Sequence, residues 1–211
     1  MKTIGVGVIG TAFMGKAHSI AYAAAGSVFG DALRPRLEII CDYNPERAEV
    51  MRTEMGFSRC TSNWMDVVND PEVQLISVCV PNSLHKEISV AALKLGKHVW
   101  CEKPLTCNYE ETQSLVSLAE NANKGLTESF MYLHHTQFHR VKQFIDESKQ
   151  VHSVICRFGI PALEKPGFRN EPKLCGGALW DVASYSVSAV LALFPSQQVK
   201  ILFSEVRHKC F

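Results

Sequence analysis

The chain has 211 residues, of which 46% are hydrophobic and 20% charged, and its formal net charge at pH 7 is +1. A chain of this length and composition can bury a full core, as one large domain or as two small ones. The near-neutral charge gives no global field that would attract nucleic acid or an anionic membrane surface. We therefore expect neither of these partners.

Short apolar runs alternate with helix-like runs through the first part of the chain. The strand-like runs are Ile4–Ile9, Leu37–Cys41, Leu75–Val80, His98–Cys101 and Gly125–Phe130. The helix-like runs are Gly15–Ala25, Pro45–Glu54, Asn63–Val68, Leu84–Leu95 and Tyr109–Ala122. This alternation predicts an α/β fold with a doubly wound parallel sheet, of the Rossmann type.

Several residues mark the expected ends of these helices. Gly26 and Gly96 lie where glycine commonly ends a helix, and Asn63 and Asn108 are expected to cap helix N-termini. The segment Gly26–Arg36 is then a longer loop than usual and contains both glycine and proline.

The pattern changes near residue 130. An amphipathic helix is predicted over His135–Lys149, a strand over Val151–Phe158, a loop over Gly159–Cys175, an apolar helix over Gly177–Phe194 and a strand over Val199–Val206. We therefore predict a dinucleotide-binding Rossmann domain over residues 1–129 and an incomplete α+β substrate and dimerisation domain over residues 130–211. An exposed hydrophobic edge strand invites pairing with another chain, so we expect a homo-oligomer.

The eight cysteines contain no C-x-x-C pair, and Cys41, Cys79 and Cys101 lie inside apolar runs. We expect buried free thiols, a reducing compartment and a cytoplasmic location. The alternative is a secretory signal ending near Ala23, but Lys16 interrupts its apolar stretch and a glycine turn would serve no purpose there. We expect no segment long and apolar enough to span a bilayer.

The first strand-like run ends in the turn Gly10-x-Ala12-x-x-Gly15. The first glycine permits a tight turn, the alanine allows a phosphate to approach the backbone, and the last glycine lets the helix pack closely on the strand. The helix N-terminus then offers N–H groups and a positive dipole end to a pyrophosphate. The predicted cofactor-binding residues here are Gly10, Thr11, Ala12, Phe13, Met14 and Gly15. A purely structural glycine turn is the alternative.

Asp42 ends the second strand-like run, where an acid accepts hydrogen bonds from the adenosine ribose. Because a carboxylate repels a 2′-phosphate, Asp42 favours NAD over NADP. The alternative is an aspartate that only forms the turn before Asn44-Pro45. Arg47 can accommodate a phosphate, so NADP stays open.

Two further groups of residues can carry chemistry. Glu102-Lys103-Pro104 follows the fourth strand-like run, and ligands bind at the carboxyl ends of such strands. Asp181 and Tyr185 are four residues apart and share one face of the apolar helix, where polar groups are costly unless they have a role. The alternatives are a solvated lysine in a surface turn and a tyrosine packed in the core.

Four motifs together resemble the glucose–fructose oxidoreductase and inositol dehydrogenase family of NAD(P)-dependent oxidoreductases, on the branch resembling dihydrodiol dehydrogenase. They are the glycine turn, Val80-Pro81-Asn82-Ser83-Leu84-His85, Glu102-Lys103-Pro104 and Gly177-Ala178-Leu179-x-Asp181-x-x-x-Tyr185. The resemblance implies that the lysine lies beside the nicotinamide and the substrate, and that the Lys103–Pro104 bond is cis. It also places further residues at the cofactor: Pro81, Asn82, His85, Glu102 and Lys103.

The chain departs from the family pattern at Leu133, Thr136 and Ala183, which puts substrate contacts in doubt more than cofactor binding. Relatives also run well past residue 211, so the second domain is expected to be truncated.

The resemblance implies hydride transfer between nicotinamide and a hydroxyl-bearing carbon of a sugar, a polyol or a related small molecule. Tyr185 is the predicted acid or base, Lys103 is expected to lower the pKa of Tyr185 and stabilise an alkoxide, and Asp181 is expected to orient substrate or lysine. The alternatives are a truncated, non-catalytic NAD-binding protein and an NAD-dependent glycosidase. No metal is predicted, because no third ligand joins the His135 and His139 pair.

Overall fold

The computed structural model describes residues 2–30, 33–148, 150–161, 167–195 and 197–205. Six parallel strands form one sheet: β1 (Thr3–Ile9), β2 (Arg34–Cys41), β3 (Arg59–Thr61), β4 (Leu75–Val78), β5 (His98–Cys101) and β6 (Leu126–Glu128). Their order is β3-β2-β1-β4-β5-β6, and every neighbouring pair is parallel. This order confirms the predicted doubly wound Rossmann sheet.

Five helices cover the two faces of the sheet: α1 (Phe13–Val28), α2 (Pro45–Met55), α3 (Trp64–Asn69), α4 (His85–Lys94) and α5 (Tyr109–Asn121). Tyr22 of α1 and Met51 of α2 pack in one buried apolar cluster. Val67, Ile88 and Leu115, from α3, α4 and α5, pack in a second cluster. The two clusters bury both faces of the strands, as the continuous apolar runs predicted.

The helix ends confirm most of the capping predictions. The side chains of Asn63 and Asn108 accept hydrogen bonds from backbone N–H groups of the first helical turns, and Gly96 follows α4 with a φ of 72°. The prediction for Gly26 was wrong, because α1 continues to Val28 and ends at Phe29. The long loop predicted over Gly26–Arg36 is correspondingly shortened at both ends.

Past residue 130 the described chain is helical or irregular. Two helices, α6 (Thr136–Ser148) and α7 (Ser184–Leu193), confirm the predicted helices, although Lys149 lies outside the described residues. A π-helical turn, Leu179–Ala183, leads into α7. Short 3-10 turns cover Met131–His134, Gly167–Asn170 and Pro172–Leu174.

The two strands predicted in this region were wrong over the residues that the structure describes. Val151–Phe158 forms no strand, and neither does 199–205, while Val206 lies outside the described chain. A strand needs a neighbouring strand to pair with, and neither segment has one within the described ranges. The edge strand that was expected to mediate self-association is therefore absent from the described residues. Ile201, Leu202 and Phe203 of that segment are nevertheless largely exposed.

One expectation about membranes was also wrong. The helical stretch Pro172–Leu193 is long and apolar enough to cross a membrane by length and composition. One such helix is weak evidence for a span. Its Asp181 is ion-paired with Lys103 from the Rossmann domain, and a charged pair of this kind is costly in a bilayer.

Candidate active site

The turn between β1 and α1 has room only for glycine at its first and last motif positions. Gly10 has a φ of 105°, and a Cβ there would lie 2.2 Å from the carbonyl oxygen of Cys79. A Cβ on Gly15 would lie 1.9 Å from the carbonyl oxygen of Gly10. Ala12 gives the first turn of α1 no side-chain cap, so the N–H groups of that turn are available to an anion.

Asp42 is buried beside this turn and accepts hydrogen bonds on both carboxylate oxygens. Its Oδ2 accepts from the backbone N–H of Thr11 at 3.3 Å and from the Thr11 hydroxyl. Its Oδ1 accepts from the N–H of Asn44 at 2.9 Å and from Arg47 at 2.7 Å. Burial alone would raise the pKa of Asp42, but these hydrogen bonds outweigh it and hold that pKa below its usual value.

Arg47 is ion-paired with Asp42 and stacks on the exposed ring of Tyr43. Its guanidinium carbon lies 4.7 Å from the ring centroid of Tyr43. Arg47 therefore offers positive charge beside Asp42 at the rim of the candidate nucleotide site, which leaves a 2′-phosphate possible there.

Lys103, Asp181 and Tyr185 converge, as the sequence predicted. Lys103 Nζ donates to the carbonyl oxygen of Asp181 at 2.7 Å and lies 3.2 Å from its Oδ1. The same ammonium lies 5.0 Å from the ring centroid of Tyr185. Arg169 Nε lies 3.2 Å from the second oxygen of Asp181. The peptide bond between Lys103 and Pro104 is cis, which confirms that expectation.

The expected effect of Lys103 on Tyr185 was wrong. Burial, followed by the negative charges of Glu102 and Asp181, raises the pKa of the Tyr185 phenol above its usual value. Lys103 lies over the face of the ring, and the Tyr185 hydroxyl points to Met131 Sδ at 3.9 Å. Lys103 is ion-paired with Asp181, and the raised pKa keeps the Tyr185 phenol protonated at neutral pH.

His85 is fully buried and lies between two backbone segments. Nδ1 is 2.7 Å from the carbonyl oxygen of Pro104, and Nε2 is 2.9 Å from that of Val80. Burial lowers the pKa of His85. The imidazole thus connects the end of β4 to the loop that carries Lys103. Both ring nitrogens face backbone carbonyl oxygens, and neither faces solvent.

The neighbouring motif residues differ in exposure. Pro81, just after β4, is exposed, whereas Asn82 is buried. The Asn82 side-chain amide donates to the carbonyl oxygen of Cys175 at 2.9 Å. Asn82 therefore links the β4 end of the sheet to the segment that precedes Asp181.

A buried polar network that sequence reasoning missed lies behind Glu102. His18 of α1 contacts Ser77 Oγ through Nδ1 and Glu102 Oε1 through Nε2, both at 3.0 Å. Tyr22 shares a hydrogen bond of 2.7 Å with Ser77. The signal was a polar serine inside the apolar run of β4 and a histidine one turn into the helix after the glycine motif. The network anchors the Glu102 side chain inside the sheet.

The seven described cysteines divide into buried free thiols, more accessible free thiols and a disulfide pair. Cys41, Cys79 and Cys101 are buried free thiols, as predicted, and burial raises the pKa of Cys41 to about 12. Cys60 is half-buried and Cys156 exposed, so the prediction of burial was wrong for them.

The remaining cysteines do not follow the prediction of free thiols either. Cys107 and Cys175 are joined in a disulfide across 68 residues of sequence, which spacing alone cannot reveal. Cys210 lies outside the described residues.

Within the described ranges, no group of three or more His, Cys, Asp or Glu side chains is placed to hold a metal ion. His139 lies on α6 and His135 directly precedes that helix, and neither belongs to such a group within the described ranges.

The fold and these contacts define a class, an α/β protein with a Rossmann sheet and a glycine turn beside a lysine, aspartate and tyrosine cluster. Residues 4–130 match the model of the GFO/IDH/MocA oxidoreductase family with an NAD-binding Rossmann fold. The chain belongs to this family, as its motifs indicated.

Curated relatives and solved structures agree with the family. Levoglucosan dehydrogenase of Pseudarthrobacter phenanthrenivorans is 37% identical over 148 residues, which is 70% of this chain and 38% of the relative. D-xylose 1-dehydrogenase (NADP(+)) 2 of Haloferax volcanii is 31% identical over 185 residues, 87% of this chain and 55% of the relative. A solved levoglucosan dehydrogenase in complex with NADH and levoglucosan superimposes with a TM-score of 0.80 at 30% identity, covering 91% of this chain and 54% of the other. The chain therefore spans about half the length of the relatives or less.

Proposed function

We propose that the chain is an NAD(P)-dependent dehydrogenase that transfers a hydride between nicotinamide and a hydroxyl-bearing carbon of a sugar or polyol. The observation that carries the proposal is the convergence of Lys103, Asp181 and Tyr185 at the carboxyl ends of the strands, the edge of the sheet that also holds the glycine turn. The names of the relatives support the substrate class, because they include levoglucosan, D-xylose and inositol dehydrogenases.

The glycine turn and Asp42 fit a dinucleotide. The turn tolerates no Cβ at Gly10 or Gly15, and the uncapped first turn of α1 suits a pyrophosphate. Asp42 is ionised and preorganised to accept from ribose hydroxyls, which favours NAD, while Arg47 keeps NADP open. Nicotinamide, when bound, supplies the acceptor or donor of the hydride.

The three residues of the cluster have separate tasks. Tyr185 keeps its proton because its pKa is raised, so its Oη donates a hydrogen bond to a substrate oxygen and can deliver the proton in the direction of reduction. Lys103 Nζ offers positive charge to that oxygen as negative charge develops on it. Asp181 holds the ammonium in place through its backbone carbonyl and its carboxylate.

A second candidate is a protein that binds NAD without catalysis. It is favoured by one observation: none of the described residues from 131 to 205 is buried. A substrate pocket built on so open a region would exclude water poorly, and water exclusion strengthens electrostatic catalysis. A cytoplasmic location stays part of the main proposal and is supported by the buried thiols Cys41, Cys79 and Cys101.

The test compares Lys103→Met with Lys86→Met, whose lysine is exposed and paired with Glu111 rather than with any residue of the cluster. Each protein is mixed with NAD or NADP and a panel of sugars and polyols while nicotinamide absorbance is followed. We expect turnover by the parent chain and by Lys86→Met. In Lys103→Met it should fall by at least about 100-fold, the loss typical of a removed electrostatic contact, with NADH affinity kept.

The other outcomes separate the candidates. Full turnover in Lys103→Met contradicts the role of the lysine. NADH binding with no absorbance change on any substrate supports the non-catalytic candidate.

A further inference from the structure

The disulfide lies between the two segments that bring the candidate site together. Cys107 follows Lys103 by four residues in the loop between β5 and α5, and Cys175 precedes Asp181 by six residues. Their Cα atoms are 5.6 Å apart, inside the range that disulfides span. We propose that Cys107 and Cys175 are a reversible thiol–disulfide pair, oxidised by small disulfides and reduced by small thiols, which fastens the helix of Asp181 and Tyr185 to the loop of Lys103.

The turn that presents Cys175 is held by contacts other than the disulfide. Asn82 donates to the Cys175 carbonyl oxygen at 2.9 Å. The N–H of Gly176 donates to the Glu171 carbonyl oxygen at 3.1 Å, and the N–H of Gly177 donates to that of Arg169 at 2.7 Å. The two backbone bonds shape the turn, and the Asn82 bond connects it to the β4 end of the sheet, so the pair can close again after reduction.

The pair is also accessible to reagents. Cys107 and Cys175 are both half-buried, whereas Cys41, Cys79 and Cys101 are buried. A small disulfide can therefore reach this pair before it reaches the thiols of the core. In a compartment rich in small thiols, the pair is held reduced until the ratio of small thiols to small disulfides falls.

The exchange needs no oxidant other than the small disulfide. One protein thiolate attacks a sulfur of the small disulfide, forms a mixed disulfide and releases one small thiolate. The second protein thiolate then attacks the protein sulfur of the mixed disulfide and releases the other. The two cysteines have lost two electrons and two protons, and the small disulfide has become two thiols.

The crosslink matters because few other described contacts join the helix of Asp181 and Tyr185 to the loop of Lys103. Lys103 itself contacts Asp181 and the ring of Tyr185. The other described contacts of that helix come from elsewhere in the chain, and they include Arg169 with Asp181, the rings of Phe130, Tyr132 and Phe158 with Tyr185, and Tyr132 with Ser188. No described side chain beyond residue 130 is buried. The effect of the pair on turnover rests on the proposed function, whereas its chemistry and its effect on the helix do not.

The experiment equilibrates the whole chain in oxidised glutathione or in dithiothreitol. Free thiols are then alkylated, and crosslinked peptides are identified by mass spectrometry. Amide hydrogen exchange of residues 177–193 is measured in the same samples. The variants are Cys107→Ser and Cys175→Ser, with Cys156→Ser as the matched control, because it removes an exposed thiol outside the pair.

We expect the Cys107–Cys175 peptide in oxidised glutathione and its loss in dithiothreitol. Exchange of residues 177–193 should be at least about tenfold faster after reduction, because a local constraint is released. Both pair variants should exchange at the fast rate under either condition, and Cys156→Ser should follow the parent chain. A different crosslink, or equal exchange in both buffers, overturns the proposal. Because neither readout needs turnover, a chain that passes both and reduces no NAD contradicts the proposed function alone.

Discussion

The two parts of the chain differ in how their structure is held. In the Rossmann part, strand residues such as Ile40 and Ile76 are fully buried and helices cover both faces of the sheet. From residue 131 to 205 no described residue is buried, and Leu191 of α7 is 50% exposed. The first part is therefore fixed by its own core, and the second by a few polar, aromatic and covalent attachments to the first. The glycine turn and Asp42 therefore lie in the part that has its own core, whereas Asp181 and Tyr185 lie in the part that depends on those attachments.

The largest loss of stability and of NADH binding is expected from a substitution in the glycine turn of the Rossmann part. Gly15→Val forces side-chain atoms against the backbone of the glycine turn, because a Cβ at position 15 would lie 1.9 Å from the carbonyl oxygen of Gly10. We expect a loss of more than ~4 kcal/mol in the free energy of unfolding, as for other severe steric conflicts in a core, and no measurable NADH binding. Urea unfolding and NADH fluorescence titration check both.

The control for this change is Gly56→Ala at the end of α2. Gly56 has a φ of 78° but open space around its Cβ position, so only the left-handed backbone is penalised, by ~1–2 kcal/mol. NADH affinity should be unchanged. Equal losses in the two variants would show that steric conflict at the turn is unimportant.

The second prediction compares the two parts directly with one substitution. Leu115→Ala removes a fully buried side chain of α5 and should cost ~2–5 kcal/mol of unfolding free energy. Leu191→Ala removes a half-exposed side chain of α7 and should change the same quantity by less than ~0.5 kcal/mol. A cost at Leu191 as large as that at Leu115 would mean that the second part has a core of its own.

The third prediction concerns the buried His85. Its pKa in the folded chain lies below the value of 6.5 for a free histidine. Between the two pKa values the unfolded chain carries a proton that the folded chain does not, so acidification favours unfolding. Stability should fall as the pH drops below 6.5, by at most ~1.4 kcal/mol per pH unit for this one group.

The measurement is urea unfolding at a series of pH values for the parent chain and His85→Gln. The variant should show a flatter dependence below pH 6.5, whatever its absolute stability. Asp42 titrates in a separate window, because its lowered pKa removes stability only as the pH falls below 3.8. Identical slopes near pH 6 in the two proteins would contradict the assignment to His85.

The smallest effect is expected at the exposed apolar segment around Leu202, which is 87% exposed. Self-association of the chain is a prediction, and Leu202→Glu should lower the average mass measured by light scattering at high concentration, because it places a charge in the contact. Val50→Glu, at an exposed position of α2, is the matched control and should leave the mass unchanged. A parent chain that stays monomeric contradicts the prediction.

The sequence was informative where the chain buries its residues. Strands such as β1 and β4 are covered on both faces, so their sequences are continuous apolar runs. Those runs predicted the two strands correctly. The strand β3 has only three residues, none of them buried, and left no run to recognise. The alternating segment Val151–Phe158 looked like a strand, but a strand also needs a partner, which no local pattern supplies.

The site was predictable as a set of residues and less so as a set of interactions. The motifs shared with the family implied that Lys103, Asp181 and Tyr185 lie together, although only Lys103 follows a strand of the sheet. The pKa of Tyr185 is raised first by burial and then by the charges of Glu102 and Asp181, and both depend on packing that the motifs do not show. The contacts of His18 with Ser77 and Glu102 join residues 59 and 84 positions apart, and such pairings follow from packing alone.

The strand order β3-β2-β1-β4-β5-β6 divides the molecule at the boundary between β1 and β4. Asp42 and Arg47 lie on the β2 side of that boundary, and Lys103 lies on the β5 side. Under the proposed function, the residues expected to set nucleotide preference and the lysine expected to contact substrate therefore lie in separate stretches of the chain. Substitution of Asp42 or Arg47 is then expected to change nucleotide preference without breaking the Lys103 and Asp181 ion pair.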